Sequence, residues 1–278
     1  MLNTAVKINS SQALVAYLDI LGYSDLVNRE YANICYGVID SSIFRWHNYL
    51  EKHKHNLGQV VRRHINLQVM SDSFVIIFNE EAALSEEGSE SSRQLFLMIF
   101  LTLISYLVQD CMRGLKHLFR GAIVRSQYYQ QKFANLDNAT FVFSKALCEA
   151  HKLEKNIASV PRILIDKSVL EGFDFSLLCK ESRPDRELLR DNDGLYHLNL
   201  YSSMFNDTAL APILREVAGI VKKAIENTKD IVILRKYVWF ANYHNNLVRG
   251  IIDSEAAIPS FEKIKNDQGA MLVKIPVL

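Results

Sequence analysis

The sequence predicts an α+β fold in which helices pack on one face of a mainly antiparallel sheet. Short apolar or alternating runs recur along the chain, two of them meet at a polar three-residue tip, and longer stretches of helical periodicity separate the rest. Ala13–Ile20 is an apolar run closing on Asp19 and Gly22, the pattern of a buried strand and a tight turn. Ser24–His55 carries helical periodicity in two pieces. Val60–Met70 and Phe74–Phe78, split by Ser71-Asp72-Ser73, read as a hairpin with an acidic tip. The acidic, serine-rich stretch Asn79–Arg93 reads as an exposed loop leading into a helix around Leu95–Met112. A strand follows over His117–Tyr129, a helix over Phe141–Lys155, a strand over Arg162–Asp166 entered through Pro161, and another over Leu195–Leu200. Ala209–Val248 is largely helical. The expected layout is one unit over 1–278, with its core at about 13–200 and a helical C-terminal region at about 205–278.

Composition removes several classes of function. With 32 Lys+Arg against 31 Asp+Glu, the formal charge of +1 lacks the broad basic footprint of a duplex-DNA binder, so no nucleic-acid partner is expected. The 4 cysteines, Cys35, Cys111, Cys148 and Cys179, form no CxxC pair, which points away from zinc and disulfides and toward a reducing cytoplasm. The opening MLNTAVKINSSQALVAYLDILG is too weakly basic for a signal peptide, and Asp19 interrupts it. The apolar run Leu95–Val108 falls short of the roughly 20 residues a bilayer demands, so it is expected as a buried helix, with no membrane partner. No GxGxxG, Walker A, HExxH or GxSxG motif is present. His53, His55 and His64 are irregularly spaced and read as basic surface. Trp46, Trp239, Tyr237 and Phe240 have helical spacings suited to core or dimer contacts.

Chemistry is expected where the first strand ends and the hairpin turns. Asp19 closes an apolar strand and Asp72 sits at the hairpin tip, so adjacency of these strands in the sheet would bring two carboxylates together. Such a pair suits Mg²⁺ or Mn²⁺, which accept one or two carboxylates completed by water and phosphate oxygens, and the Ile20 carbonyl is a candidate third ligand. Backbone N–H groups of Leu21, Gly22 and Tyr23, at a turn feeding a helix, suit a triphosphate. Aspartates are also common at strand ends and turns for structural reasons. Tyr17 shares a strand face with Asp19, so it either stacks on a base or ribose or packs as a core tyrosine. Arg120, directly before Gly121 on an apolar strand, is either a charge-stabilising residue of the site or one half of a solvated ion pair at the sheet edge.

Four segments, in order, are similar to the motifs of one family. VAYLDILGYSDLV resembles the first-strand motif of class III nucleotidyl cyclases, in which an aspartate, an isoleucine and a Gly-aromatic pair surround two metal ions. SDSFVIIF resembles their hairpin, with the second metal-binding aspartate at Asp72. LFRGAIVRS looks like their Arg-Gly strand, and FVFSKALCEAHKLEKNIASVPRILID like the helix and strand that follow it. The LEx(n)PRI ending is similar to the bacterial pyrimidine cyclases of Pycsar antiphage defence, as is a tyrosine at the position of Tyr17. The likeness covers Val15–Asp166, with RKYVWFANYHNN at Arg235–Asn246 as a further match.

This resemblance implies a ferredoxin-like cyclase homology domain acting as a homodimer with composite active sites. Asp19, Asp72 and the Ile20 carbonyl would hold two Mn²⁺ (or Mg²⁺) ions around a nucleoside triphosphate, with the partner chain adding base recognition and charge. UTP or CTP would become 3′,5′-cyclic UMP or CMP plus pyrophosphate, a messenger for a separate effector protein. Alignment on the family helix sets Ser144 at its glycine, Cys148 at its transition-state asparagine and Lys152 at its transition-state arginine, so Lys152 inherits the catalytic position with a point charge in place of a fork. His151, beside it, is assigned no duty. Two other readings stay open: a catalytically silent cyclase-like dimer that binds a nucleotide or a protein partner, and a palm-type polymerase built on the same pair of aspartates.

Overall fold

A computed structural model describes residues 11–23, 32–52, 56–87, 92–133, 136–172, 187–202 and 210–248. Strand β1 (Ser11–Ile20) is followed by helices α1 (Ala32–Lys52) and α2 (Asn56–His64), the hairpin strands β2 (Ile65–Met70) and β3 (Ser73–Phe78), helices α3 (Glu80–Glu87) and α4 (Ser92–Leu115), and strand β4 (Phe119–Phe133). These strands lie in the order β2-β3-β1-β4 with every adjacent pair antiparallel, which is the split βαββαβ arrangement of ferredoxin-like folds. The sheet is then extended. Strand β5 (Leu136–Ser144) folds back on β4, helix α5 (Lys145–Asn156) crosses the sheet, and β6 (Ile163–Ile165) runs parallel to β4. A short helix α6 (Lys167–Leu170), an edge hairpin β7 (Leu188–Arg190) and β8 (Tyr196–Leu198), and helices α7 (Leu210–Asn227) and α8 (Ile231–Val248) follow. The expected α+β class with a mainly antiparallel sheet is what the chain adopts.

Strand β1 is central and buried on both faces, which is why it reads as an almost unbroken apolar run. Its even residues Leu14, Ala16, Leu18 and Ile20 meet Phe74, Ile76 and Phe78 of β3 and Phe96, Phe100 and Ile104 of α4 in the larger core. Its odd residues Ala13 and Val15 meet Val75, Ile77 and Ala146 on the opposite face. The expectation of helices on one face is therefore corrected: among the described residues, α5 packs on the second face. Ala146 and Ala150 let it lie close to the small and β-branched residues beneath it, among them Ala122 and Val124.

Three boundaries also depart from expectation. Val60–His64 closes helix α2, and only Ile65–Met70 is strand; two adjacent valines mimic a strand, yet both are buried on a helix whose last turn is basic, complementing its dipole. Asn79–Arg93 is not simply a loop. Asn79 Oδ1 accepts from Ala82 N at 3.1 Å, Glu80 and Glu81 occupy the first turn of α3, and residues 88–91 lie outside the described residues. Phe141–Ser144 belongs to β5, and α5 begins only after Ser144, whose Oγ caps it by accepting from Leu147 N at 2.9 Å. Within Ser24–His55 a helix occupies Ala32–Lys52; residues 24–31 and 53–55, with His53 and His55, lie outside the described residues, as does Cys179. His64 pairs with Glu86 at 2.8 Å.

Helix α4 has 24 residues, long and apolar enough to cross a membrane by length and composition, and 67% of its most apolar 18-residue window is buried within the fold. Helices α7 and α8 close the larger core through Leu214, Val217, Val221, Phe240 and Leu247. A buried polar network ties α8 to the sheet edge. The Tyr243 hydroxyl accepts from Leu200 N at 2.9 Å and donates to Asn199 Oδ1 at 3.1 Å, and Tyr201 bonds His244 Nδ1 at 2.9 Å.

His197 of β8 stands edge-on to Trp239 and Tyr243, and burial pushes its imidazole down to about 4 from the usual 6.5. The unfolded chain takes up a proton between pH 6.5 and 4 that the folded one refuses. Stability from this group is thus complete above about pH 6.5 and falls as pH drops toward 4, by at most about 3 kcal/mol. Melting temperature is expected to decline across that window, and His197→Gln to flatten the decline; an equal slope in the variant would refute the assignment.

Candidate functional site

The C-terminal end of β1 meets the β2–β3 turn and the start of β4 on the face covered by α5. Strand alternation turns Tyr17 and Asp19 to that face, as the sequence predicts, and the register sets Asp19 opposite Ser73 on β3 and opposite Arg120 on β4. The hairpin tip is clamped to β1 by its backbone. Ile20 N donates to the Asp72 carbonyl at 2.9 Å, and Ser71 takes the left-handed conformation (φ 54°) that turns the chain so tightly. Asp19 and Asp72 are therefore neighbours by main-chain hydrogen bonding, whatever their side chains do.

The charges around them are unequal. Arg120 Nε donates to Asp19 Oδ2 at 2.8 Å and lies 2.7 Å from Glu154 Oε1, an ion pair in which the N–H does not point at Glu154. Burial raises the Asp19 pKa, with Arg120 opposing it and the Asp72 charge adding to it. Burial likewise raises that of Glu154, against Arg120 and with Asp19 reinforcing it. Two carboxyl groups, Asp19 and Glu154, thus share one guanidinium, and the Asp72 charge acts on both, leaving a corner that favours added positive charge.

Tyr17 is half-buried. Its hydroxyl pairs with Ser73 Oγ at 2.8 Å, Ser73 Oγ donates to Asp72 Oδ1 at 3.3 Å, and the His151 ring stands edge-on at 5.1 Å and 80°. The ring packs against the alanine-lined contact with α5, as the core reading expects, and its hydroxyl belongs to the chain of groups that ends on Asp72. Burial raises its pKa, the Ser73 bond opposing. Beyond Asp19, Leu21 N donates to Leu118 O at 2.9 Å, so it is engaged within the protein, while Gly22 adopts φ +79°, a conformation that favours glycine. Tyr23 ends the described stretch; the helix expected after it falls in residues 24–31, outside the described residues.

Of the residues singled out from sequence, Tyr17, Asp19, Ile20, Leu21, Gly22, Asp72 and Arg120 come together around this corner. Lys152 does not join them. It lies with Cys148, one turn away, on the exposed side of α5, while the same helix turns Glu154 inward to Arg120. Three neighbours escaped the sequence reading as members of the site: Ser73, Glu154 and Lys236, the last of which feels the charges of Arg120 and Asp19 from α8; His151, assigned no duty from sequence, stands against Tyr17. Ser73 was readable as the residue opposite Asp19 once β1 and β3 are paired.

The donor set fits a hard divalent cation. Two carboxylates on neighbouring backbone segments, with Asp19 Oδ1 not bonded by Arg120, match ions that keep water and phosphate in their remaining positions. No group of three His, Cys, Asp or Glu side chains suited to a metal occurs among the described residues, so such an ion would depend on oxygens from substrate and solvent.

No protein-family model matches the chain, and no curated protein matches it in sequence. Solved structures do. The dimeric guanylyl cyclase domain of the RhoGC fusion protein from the aquatic fungus Blastocladiella emersonii is 9% identical, aligning over 68% of this chain and 93% of that one with a TM-score of 0.43. The guanylate cyclase domain of RhGC from Catenaria anguillulae, in complex with GTP, is 10% identical over 67% and 93%, with a TM-score of 0.39. A bacterial light-regulated adenylyl cyclase is 10% identical over 77% of this chain and 58% of that one, with a TM-score of 0.41. At such identities and scores the likeness carries nothing about reaction or substrate.

Proposed function

We propose that this chain is a metal-dependent nucleotide cyclase that converts UTP or CTP into 3′,5′-cyclic UMP or CMP and pyrophosphate, working as a cytoplasmic homodimer in antiphage defence. The observation that carries the reading is the clamp of Ile20 N on the Asp72 carbonyl, which makes Asp19 and Asp72 backbone neighbours at the end of the interior strands of a ferredoxin-like sheet. The pyrimidine choice, the dimer and the defence role are supported by the sequence motifs alone.

Asp19, Asp72 and the Ile20 carbonyl would hold two Mn²⁺ or Mg²⁺ ions. Bound divalent ions supply a lowered pKa at the ribose 3′-hydroxyl and charge neutralisation on the leaving pyrophosphate. The remaining work belongs to the chain. The 3′-oxygen bonds to the α-phosphorus as the bond to the β-phosphate oxygen breaks, so the protein has to hold the nucleotide in line. Tyr17, anchored through Ser73, offers a ring edge for the base or ribose, and the N–H groups of the Gly22–Tyr23 turn offer donors to phosphate. Arg120 keeps Asp19 oriented while Glu154 holds Arg120, a positioning chain that reaches from α5 to the carboxylate. Lys152 and Cys148, exposed on α5, are directed to the other protomer's site in this reading, as composite sites require.

One observation favours a second reading, a silent dimer that binds a nucleotide or a protein: Asp19 is already neutralised by Arg120. The two part in a single assay. Purified protein is incubated with Mn²⁺ and each of the four ribonucleoside triphosphates, and products are identified by mass spectrometry. Cyclic UMP or cyclic CMP is the expected product. Cyclic AMP or GMP would keep the cyclase and overturn the pyrimidine choice; a folded dimer yielding nothing from any substrate would leave the silent reading.

A further inference from the structure

The two carboxylates of the corner are held by different chemistry. Asp19 is bonded by the Arg120 guanidinium, whereas Asp72 is bonded by a neutral hydroxyl: Ser73 Oγ donates to Asp72 Oδ1 at 3.3 Å. Ser73 opens β3, is 5% exposed, and stands opposite Asp19 in the register. Tyr17 is paired with Val75, so Ser73 is its diagonal neighbour on the same sheet face, a spacing that a long aromatic side chain spans. The two hydroxyl oxygens lie 2.8 Å apart.

A serine hydroxyl has a single proton to give, and an ionised carboxylate only accepts. With the Ser73 proton on Asp72, the bond between Tyr17 and Ser73 has to be donated by the tyrosine, so the protons run one way, from Tyr17 to Ser73 to Asp72. The far end of this chain is fixed as well. The Tyr17 ring packs against the clusters that contain Ala146 and Ala150 of α5, and the His151 ring stands edge-on to it at 5.1 Å. For packing alone, phenylalanine and alanine would fill these two positions with no polar group to satisfy. What the hydroxyls add is direction without charge. Among the described residues no cation pairs with Asp72 and no donor bonds its Oδ2, so Asp72 presents its full negative charge from an oriented side chain. That is the kind of ligand a hard divalent ion takes, and hydrogen bonds from the next layer of residues are what orient such ligands.

We infer that Ser73 is a positioning residue for Asp72, and that Tyr17, acting through Ser73, sets the orientation in which Asp72 meets a divalent cation. The inference rests on the metal-dependent cyclase reading for the role of that ion, but the binding itself is measured without turnover. Mn²⁺ is titrated into the full chain, and the free ion is counted by electron paramagnetic resonance. Ser73→Ala is expected to weaken binding about ten- to a hundredfold, the usual cost of losing a group that orients a metal-ligating carboxylate, and Ser73→Thr to retain most of the affinity. Tyr17→Phe keeps the ring and its packing and loses only the donor, so its loss is smaller, about threefold. The double variant is expected to bind no more weakly than Ser73→Ala, because the tyrosine acts only through the serine, whereas two separate packing defects would add. In turnover, Ser73→Ala raises the Mn²⁺ concentration for half-maximal rate by the same factor as the loss of affinity, with a smaller loss of rate at saturating Mn²⁺; a residue that served the fold alone would lower the rate at every Mn²⁺ concentration.

Unchanged Mn²⁺ affinity in a folded Ser73→Ala variant, additive losses in the double variant, or no Mn²⁺ binding by the parent chain each overturns the inference. If Ser73→Ala does not fold, Tyr17→Phe decides alone, and parent-like Mn²⁺ affinity in that variant overturns it. Failure of the cyclase reading looks different, because Mn²⁺ then binds in a Ser73-dependent way while no cyclic product forms.

Discussion

Asp19→Asn and Asp72→Asn each lower cyclic-nucleotide formation by at least about a thousandfold, roughly 4 kcal/mol of transition-state stabilisation, because each removes a hard anionic ligand that an amide does not replace. The folded state is expected to tolerate the first change well. Burial raises the Asp19 pKa despite Arg120, so between its unfolded and folded values the native state binds more protons than the unfolded one. Stability from this group is therefore present at low pH and lost as pH rises through that interval. At neutral pH an ionised Asp19 is a burden on the fold, and Asp19→Asn holds or raises the melting temperature while removing activity. That opposition distinguishes a carboxylate kept for chemistry from one kept for structure. Both variants retaining full product formation, measured beside the parent with Mn²⁺, would remove the metal-dependent mechanism.

The legible part of this site was whatever depended on strands. Period-two alternation is a local property, so Tyr17 and Asp19 could be set on one face from β1 alone, and the tip Ser71-Asp72-Ser73 marked its own turn. Adjacency of β1 and β3 was legible as the arrangement that would bring Asp19 and Asp72 together, whereas the pairing of β1 with β4 on its other side had no local signal. The helical contribution was not legible in the same way. The start of α5 is fixed by the Ser144 cap, and reading Phe141–Ser144 as helix blurred which side chains point inward, hiding Glu154 behind the more familiar position of Lys152. Lys236 was beyond reach for another reason: it feels the Asp19 charge only through the placement of α8, whose anchors Tyr243 and His244 bind residues near 200 rather than anything adjacent in sequence. Short helices were lost to composition. The acidic first turn of α3 reads as solvated loop, although Glu80 is buried and paired with Arg125 at 2.9 Å.

Gly121→Ala is expected to destabilise the protein by about 3 kcal/mol or more, a large effect for one methyl group. Gly121 lies opposite Leu18 where β4 crosses β1. A Cβ there would overlap the Tyr17 carbonyl oxygen and come within 2.9 Å of Leu18 Cδ2 and 3.1 Å of Leu18 Cα. The first and last of these are main-chain atoms of the central strand, and β1 cannot yield on one side without losing contact with β3 on the other. The strain falls on the residues that carry the site, since Tyr17 and Asp19 flank Leu18 and Arg120 precedes Gly121. A partial opening of β1 from β4 would lengthen the 2.8 Å bond between Arg120 and Asp19, so activity should drop even in the fraction that stays folded. Gly219→Ala is the internal control: a Cβ at that helical position meets nothing within 4 Å, and the change should be neutral or stabilising by up to about 1 kcal/mol. Urea unfolding of the two variants measures both values. Equal and small effects at the two glycines would mean that β1 and β4 are not held as closely as their register requires.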